Sequence, residues 1–472
     1  VAISGGTIAY VGDGRGAAAF TGPRTEVIDA GGRMVMPGIH DGHAHPLGAG
    51  RNLTTPDLAY RKLTIAQFVA AIRGFVAASR RREPDQWLQV VNWDPTVMPK
   101  QPTRRDLDRL DTRRPIVVFD SNGHTALVNS RGLAVAGIDR STPNPDGGVI
   151  VKDAHGEPTG ILSDNAYLLV TKVIPKPTVD DDAASLDAAH REMLRQGITA
   201  YMTAAADDAE LAALAALSDR GRLVIQPGAA IEVDADLAAK RADMFAFLAD
   251  LKARHGRPDV RGGVVKMFFD GVAEYPTQTA AMLRPYRRNA GTKSALRWVS
   301  SRNRGPTYYP PRTANPAVAA LDAAGWQVHV HAIGDRAARS ALDAFAHART
   351  KNGPRGNRHT IAHLELVDPH DFPRFRQLGV LASMQLQWAE RDAYTVDALR
   401  PYVGERRWRF LYPAGSLHRA GALLCGGSDW PVDPLLPFRA MEMAVNRTAD
   451  EVYEGYPQPL RPRAEGISLA LA

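Results

Sequence analysis

One cysteine in 472 residues is the chain's scarcest feature, and it removes two chemistries at once. Cys425 cannot close a disulfide within the chain, and no cysteine-based zinc site can be built around it. With Gly426 beside it and no basic neighbour in sequence, it reads as a small buried strand residue rather than a nucleophile. A G-x-S-x-G elbow is also missing, so no serine nucleophile is indicated. No apolar run reaches the ~18 residues that a membrane-spanning helix needs. The 58 Lys and Arg residues against 51 Asp and Glu give +7, but the basic residues are scattered in short clusters such as "RRRE" (80–83). Without a basic stripe and interleaved aromatics, neither nucleic acid nor a membrane is expected as a partner. There is no initiator methionine and no signal sequence, yet the chain opens inside what reads as a strand, "VAISGGTIAYVGD". An upstream piece is therefore expected, and a cytoplasmic location is the working expectation.

What is present is an ordinary globular composition, 44% hydrophobic and 23% charged, with a marked rhythm. Residues 1–36 read as short strands with Gly turns, "VAISGGTIAYVGD" and "TEVIDAGGRMVMPG", expected to form part of a small β-sandwich. From residue 198 apolar runs alternate with Ala-rich amphipathic segments: 198–205, 223–233, 260–271, 326–335, 359–367, 379–388 and 421–431. With the run leading into His43 these make eight, which predicts an α/β fold, a parallel (β/α)8 TIM barrel over 37–51 and 176–472. Residues 52–175 interrupt the rhythm with their own strands (87–93 and 115–124) and many turns. They are read as an inserted α+β subdomain near the barrel mouth.

The stretch "VMPGIHDGHAHP" packs three histidines and an aspartate into six positions after an apolar run. Side chains alternate faces along a strand, so His43 and His45 point the same way. Alone, that pair fits either a metal or two hydrogen-bonded structural histidines. The other strands alter the balance. Lys266 lies within "GGVVKMFF", an apolar setting that is costly for an ammonium, and the chain has only ten lysines. "HVHAIGD" places His329 and His331 on one face, "IAHLELV" carries His363, and "GGSDWP" presents Asp429. A single strand histidine is usually a satisfied core residue. Ligand-type residues on the first, fourth, fifth, sixth and eighth strands of one barrel point jointly to a metal centre.

At these residues the sequence resembles a known family. "PGIHDGHAHP", "VKMFFDG", "HAIGDRA", "IAHLELV" and "GSDWPVDP" are similar to the metal-binding motifs of the amidohydrolase superfamily. The closer match is to its family-3 branch, which includes N-substituted formamide deformylases. The likeness extends through "NWDPTVMP", "SNGHTALVNSRGLAVAGI" and "DGVAEYPTQTAAMLRPY", over nearly the whole chain. The resemblance implies that His43, His45 and Asp429 bind one ion, that His331 and His363 bind a second, and that a carbamylated Lys266 bridges them. It gives His329 no ligand role, leaving it to the barrel core or to support of a ligand. His124 matches a position near the substrate, where it would contact the scissile carbonyl. Two departures stand out. The family's "SMQP" followed by a histidine is "SMQLQWAERD" here, and the strands that usually follow "ISLALA" to complete the sandwich are absent from this sequence.

The implied cofactors are two divalent ions, zinc first, with manganese, iron or cobalt as alternatives, and a CO2-derived carbamate on Lys266. A metal lowers the pKa of bound water from about 15.7 to about 7, so a bridging hydroxide would attack an amide carbonyl while Asp429 passes the proton to the leaving amine. The expected activity is cleavage of a non-peptide C–N bond of an N-acyl or N-formyl small molecule. A lactone or ester hydrolase using the same centre is the alternative, and a non-catalytic binding protein is a third reading. Trp93, Trp388, Trp430 and Tyr275 fall near the predicted mouth, where they would either face an apolar substrate moiety or anchor loops. A homodimer is a possible assembly.

Overall fold

The computed structural model describes all residues except 60, 79–85, 94–97, 99, 111–112, 121–124, 146–147, 276, 293, 449–457, 459, 461 and 469–472. The chain divides into two units, Val1–Ile39 and His40–Ala472. In the first, strands Ala2–Ser4 and Thr7–Tyr10 form an antiparallel hairpin. Its two-residue turn uses Gly5 and Gly6, both at positive φ (56° and 76°), the geometry that suits the twist of a tight hairpin. The second expected strand does not form: residues 21–38 have no strand among the described residues. Val27, Ile28, Met34 and Val35 there are 65–80% exposed. The physical reason is the lack of a neighbour, since an isolated strand leaves its N–H and C=O groups unpaired and a lone hairpin is a marginal template. Among the described residues at this end, the strands formed are those of the one hairpin.

The second unit holds the eight-stranded barrel sheet: β1 Ile39–Ala44 (its first residue belonging to the preceding unit), β2 Ile198–Ala206, β3 Gln226–Glu232, β4 Arg261–Phe268, β5 Gln327–Ala332, β6 Thr360–His363, β7 Leu381–Met384 and β8 Leu423–Gly426. Each strand neighbours its successor, and the paired registers from β2 to β8 are all parallel. Just beyond β8 the chain returns to β1, where Asp429 donates its N–H to the His43 carbonyl (2.7 Å) and His45 donates to that of Trp430 (2.8 Å). The intervening helices start where the sequence caps them. Val179–Arg195 opens on a Thr178/Asp181 capping box with three aspartates in its first turn, and Asp207 caps Asp208–Asp219.

Strand alternation divides the side chains cleanly. Val265, Met267 and Phe269 in and after β4, and Val328, Val330 and Ala332 in β5, join the fully buried core with Met244, Leu248, Val318, Leu321, Ala338 and Leu342 of the flanking helices. The alternate residues therefore face the barrel interior, with Lys266 in register with His329 and Phe268 with His331.

Between β1 and β2, a separate five-stranded sheet runs in the order Leu88–Trp93, Ile116–Asp120, Thr125–Val128, Pro158–Asp164, Gly148–Lys152. Its first pair is parallel and the rest antiparallel. The Arg- and Pro-rich stretch after β4, which reads as a loop in sequence, contains a small hairpin, Arg287–Asn289 with Trp298–Ser300.

Candidate metal centre

His43 lies at the centre of the site and is fully buried. Its Nε2 is 3.2 Å from Asp429 Oδ1, and His45 Nε2 is 3.1 Å from the same oxygen. Asp429 Oδ1 is buried, and the approach of His45 helps to hold the carboxylate ionised. One ligand atom from each of the three residues falls within 4.8 Å of the others. Three ligand-type atoms this close surround a common space. The other nitrogen of His43, Nδ1, is 2.8 Å from His329 Nε2. Lys266 Nζ lies 3.5 Å from His43 Nε2 and 4.5 Å from the centre of the Phe268 ring.

His363 reaches the cluster by a backbone device. Alternation in β6 would send it outward with Ile361, which belongs to the outer core. Instead His363 and Leu364 both adopt positive φ (73° and 54°), which breaks the alternation. The His363 ring stands edge-on to His331 at 4.4 Å and to His43 at 4.8 Å. Asp429 is also at positive φ (55°). Such conformations cost on the order of 1–3 kcal/mol each for non-glycine residues and gather where function holds them.

His331 Nδ1 is 3.2 Å from Asp270 Oδ1. The Asp270 carboxylate is itself fixed by the backbone N–H groups of Ala281, Ile333 and Gly334 at 2.8–3.0 Å. Asp41 clamps the seam between β8 and β1, accepting from the N–H and hydroxyl of Ser428 and from the His43 N–H. Gly427 permits that seam: a Cβ there would meet His43 Cβ at 2.6 Å and His43 N at 2.8 Å.

The electrostatics follow from burial. The pKa values of His43, His329 and His363 are pushed well below the usual imidazole range, first by burial and then by their cationic neighbours, so all three are neutral and keep a lone pair. Burial pushes Lys266 down to about 7, against the opposing pull of Asp429 and Glu232. For Asp429 burial raises the carboxyl, but His45, His363 and Lys266 outweigh it and hold the group below its ordinary value. A buried, ionised carboxylate beside neutral imidazoles is a donor set suited to a divalent cation.

The structure thus brings together His43, His45, Lys266, His331, His363 and Asp429 from five strand ends. Trp388, half-buried, lies parallel to the His363 ring at 5.7 Å and 7°. Trp430 is buried, and its backbone joins the β8–β1 seam. Tyr275 stacks on Tyr402 at 4.6 Å. Trp93 is a correction: it belongs to the core of the five-stranded sheet, packed at 6.0 Å against Phe68 with its indole N–H donating to Met98 Sδ. The sheet needed a large apolar filler there, and the N–H found its partner locally. His124 lies outside the described residues. His40 is exposed. Asp270 was missed as a support for His331, although it continues the inward parity of Lys266 and Phe268. The two glutamines after β7, Gln385 and Gln387, were missed as well.

Residues 26–468 match a family model described as the amidohydrolase family. The N-substituted formamide deformylase of Arthrobacter pascens is 27% identical, the match covering 95% of this chain and 80% of that protein. Protein LONG AFTER FAR-RED 3 of Arabidopsis thaliana is 29% identical over 95% of this chain and 74% of its own. The crystal structure of an uncharacterized metal-dependent hydrolase from Pyrococcus furiosus superposes with a TM-score of 0.71 at 25% identity, covering 99% of this chain and 86% of that one. A match of that span, on a barrel whose strand ends converge on one donor cluster, means that the chain belongs to the amidohydrolase family of metal-dependent hydrolases.

Proposed function

We propose that the chain hydrolyses a C–N bond of an N-acyl or N-formyl small molecule at a two-ion centre. His43, His45 and Asp429 would hold one cation and His331 and His363 a second, with Lys266, as its carbamate, supplying a further oxygen ligand. The observation that carries this reading is the convergence of the His43, His45 and Asp429 ligand atoms on one space. His363 Nδ1 supports it, being buried with no hydrogen-bond partner, a condition native proteins seldom leave unanswered. The relation to a formamide deformylase supports the substrate class. A divalent cation held there supplies Lewis acidity and a water whose pKa is lowered to about 7.

Each residue's own part follows from its surroundings. His329, paired to His43 Nδ1, fixes the ring so that Nε2 faces Asp429 and Lys266. Asp270, locked by three backbone N–H groups, does the same for His331. With a pKa of about 7, a large fraction of Lys266 is the neutral amine at neutral pH. That form adds to CO2, forming an N–C bond and releasing one proton to solvent. Asp429, ionised and at the strand end, takes a proton from the attacking water and returns it to the departing amine nitrogen. Trp388 walls the site over His363 and receives an apolar substituent.

The test is a panel of N-acyl and N-formyl amines set against lactones, assayed on chelator-treated protein before and after addition of zinc, manganese or cobalt. C–N cleavage that depends on added metal is expected. Metal-loaded protein that opens lactones but leaves every amide intact would overturn the proposal.

A further inference from the structure

The 3-10 turn Leu386–Trp388 carries Gln387, which is 6% exposed. Its Nε2 donates to the carbonyl oxygen of Ser428, the residue before Asp429. Only the nitrogen of a side-chain amide can donate to a carbonyl, so this bond settles which way the amide faces and leaves Oε1 as the free end. Oε1 is buried and has no hydrogen-bond partner. The next residue, Trp388, lies parallel to the His363 ring. One turn therefore places an aromatic face over one proposed ligand and ties an oriented acceptor to the loop of another. Gln385, also buried, has both amide atoms unpaired, so nothing orients it as donor or acceptor.

A covered acceptor has no hydration to surrender, so a donor that reaches it gains nearly the whole interaction, and an analogue without the donor leaves it unpaired. We propose that Gln387 Oε1 accepts the N–H of the scissile amide. The inference rests on the C–N hydrolase reading above and narrows it to substrates whose amide nitrogen carries a hydrogen, such as N-monosubstituted formamides and acyl amides. N,N-disubstituted amides, esters and lactones fall outside it.

The experiment compares kcat/KM for an N-aryl formamide, its N-methyl derivative and the corresponding aryl formate ester, in wild type and in Gln387→Met, with metal content measured in both. Wild type is expected to favour the N–H amide over its N-methyl derivative by roughly 10- to 100-fold, the order set by one unpaired buried acceptor. In Gln387→Met the N–H amide should lose most of that advantage over both the N-methyl amide and the ester, at unchanged metal content. A merely structural glutamine would depress all three substrates alike. Equal rates for the N–H and N-methyl amides in wild type overturn the inference without recourse to the variant, as does a preference retained in Gln387→Met. Wild type that cleaves none of the amides overturns the C–N reading itself, and this inference with it.

Discussion

Lys266 is costly to bury, and replacing it with methionine should stabilise the metal-free protein. The side chain is fully buried inside the barrel, and burial lowers its pKa from 10.5 to about 7. Between those two values the unfolded chain takes up a proton that the folded chain refuses. Stability therefore falls as the pH drops through that window, and the cost is essentially complete near pH 7. The gap, 10.5 minus 7, is 3.5 pH units. At about 1.36 kcal/mol per unit this is roughly 5 kcal/mol. Methionine is of similar length and carries no charge. It gives up the 3.5 Å approach to His43, worth about 1 kcal/mol, so a net gain of roughly 3–4 kcal/mol is expected at pH 7. Urea unfolding of chelator-treated wild type and Lys266→Met, followed by tryptophan fluorescence from pH 7 to 10, gives the comparison. The gain should shrink steadily as the pH approaches 10. A variant less stable than wild type at pH 7, or a gain that does not change with pH, would refute the reasoning.

The opposite sign is expected at Glu210, which burial lifts to about 7 from 4.5 against the hydrogen bond from Thr203. The folded chain there keeps a proton that the unfolded chain has released, so stability falls as the pH rises from 4.5 to about 7, by roughly 3 kcal/mol in all. Glu210→Gln should gain on wild type across that interval and hold a level advantage above it; a difference constant in pH rejects this. His329→Ala, which leaves His43 Nδ1 without its partner, should lower cation affinity about 10- to 100-fold in a chelator-competition titration, whereas unchanged affinity would reduce His329 to packing. Gly427→Ala forces a methyl against His43 Cβ and N, and a loss of about 1–3 kcal/mol in unfolding experiments is expected. No loss would mean that the β8–β1 seam is looser than these distances.

Much of the barrel was legible because parallel strands buried on both sides read as apolar runs, and because two-residue alternation assigns each side chain a face. That logic set His43 with His45 and His329 with His331 on common faces, and in the fold His43, Lys266, His329 and His331 turn inward. It could not have placed His363, whose inward turn depends on two positive-φ residues that break the alternation; the motif around it supplied that position instead. Trp93 shows the limit for aromatics, since nothing in "VVNW" distinguishes a ring facing a substrate from one filling the core of a separate sheet. Asp270 and Gln387 were invisible for a related reason. Their parts are set by partners far along the chain, the 281 and 333–334 amides for one and the Ser428 carbonyl for the other. The segment 21–38 has strand-like composition, but composition cannot provide a neighbour to pair with.

The central claim is that the strand-end cluster is a two-cation centre assembled by His43, His45, Lys266, His331, His363 and Asp429. It is tested most directly by counting metal ions per chain in wild type, Asp429→Ala and Lys266→Met after dialysis against zinc-containing buffer. The account predicts two ions in wild type and one or fewer in each variant. Wild type that retains less than one ion, or variants that hold as much metal as wild type, would contradict it.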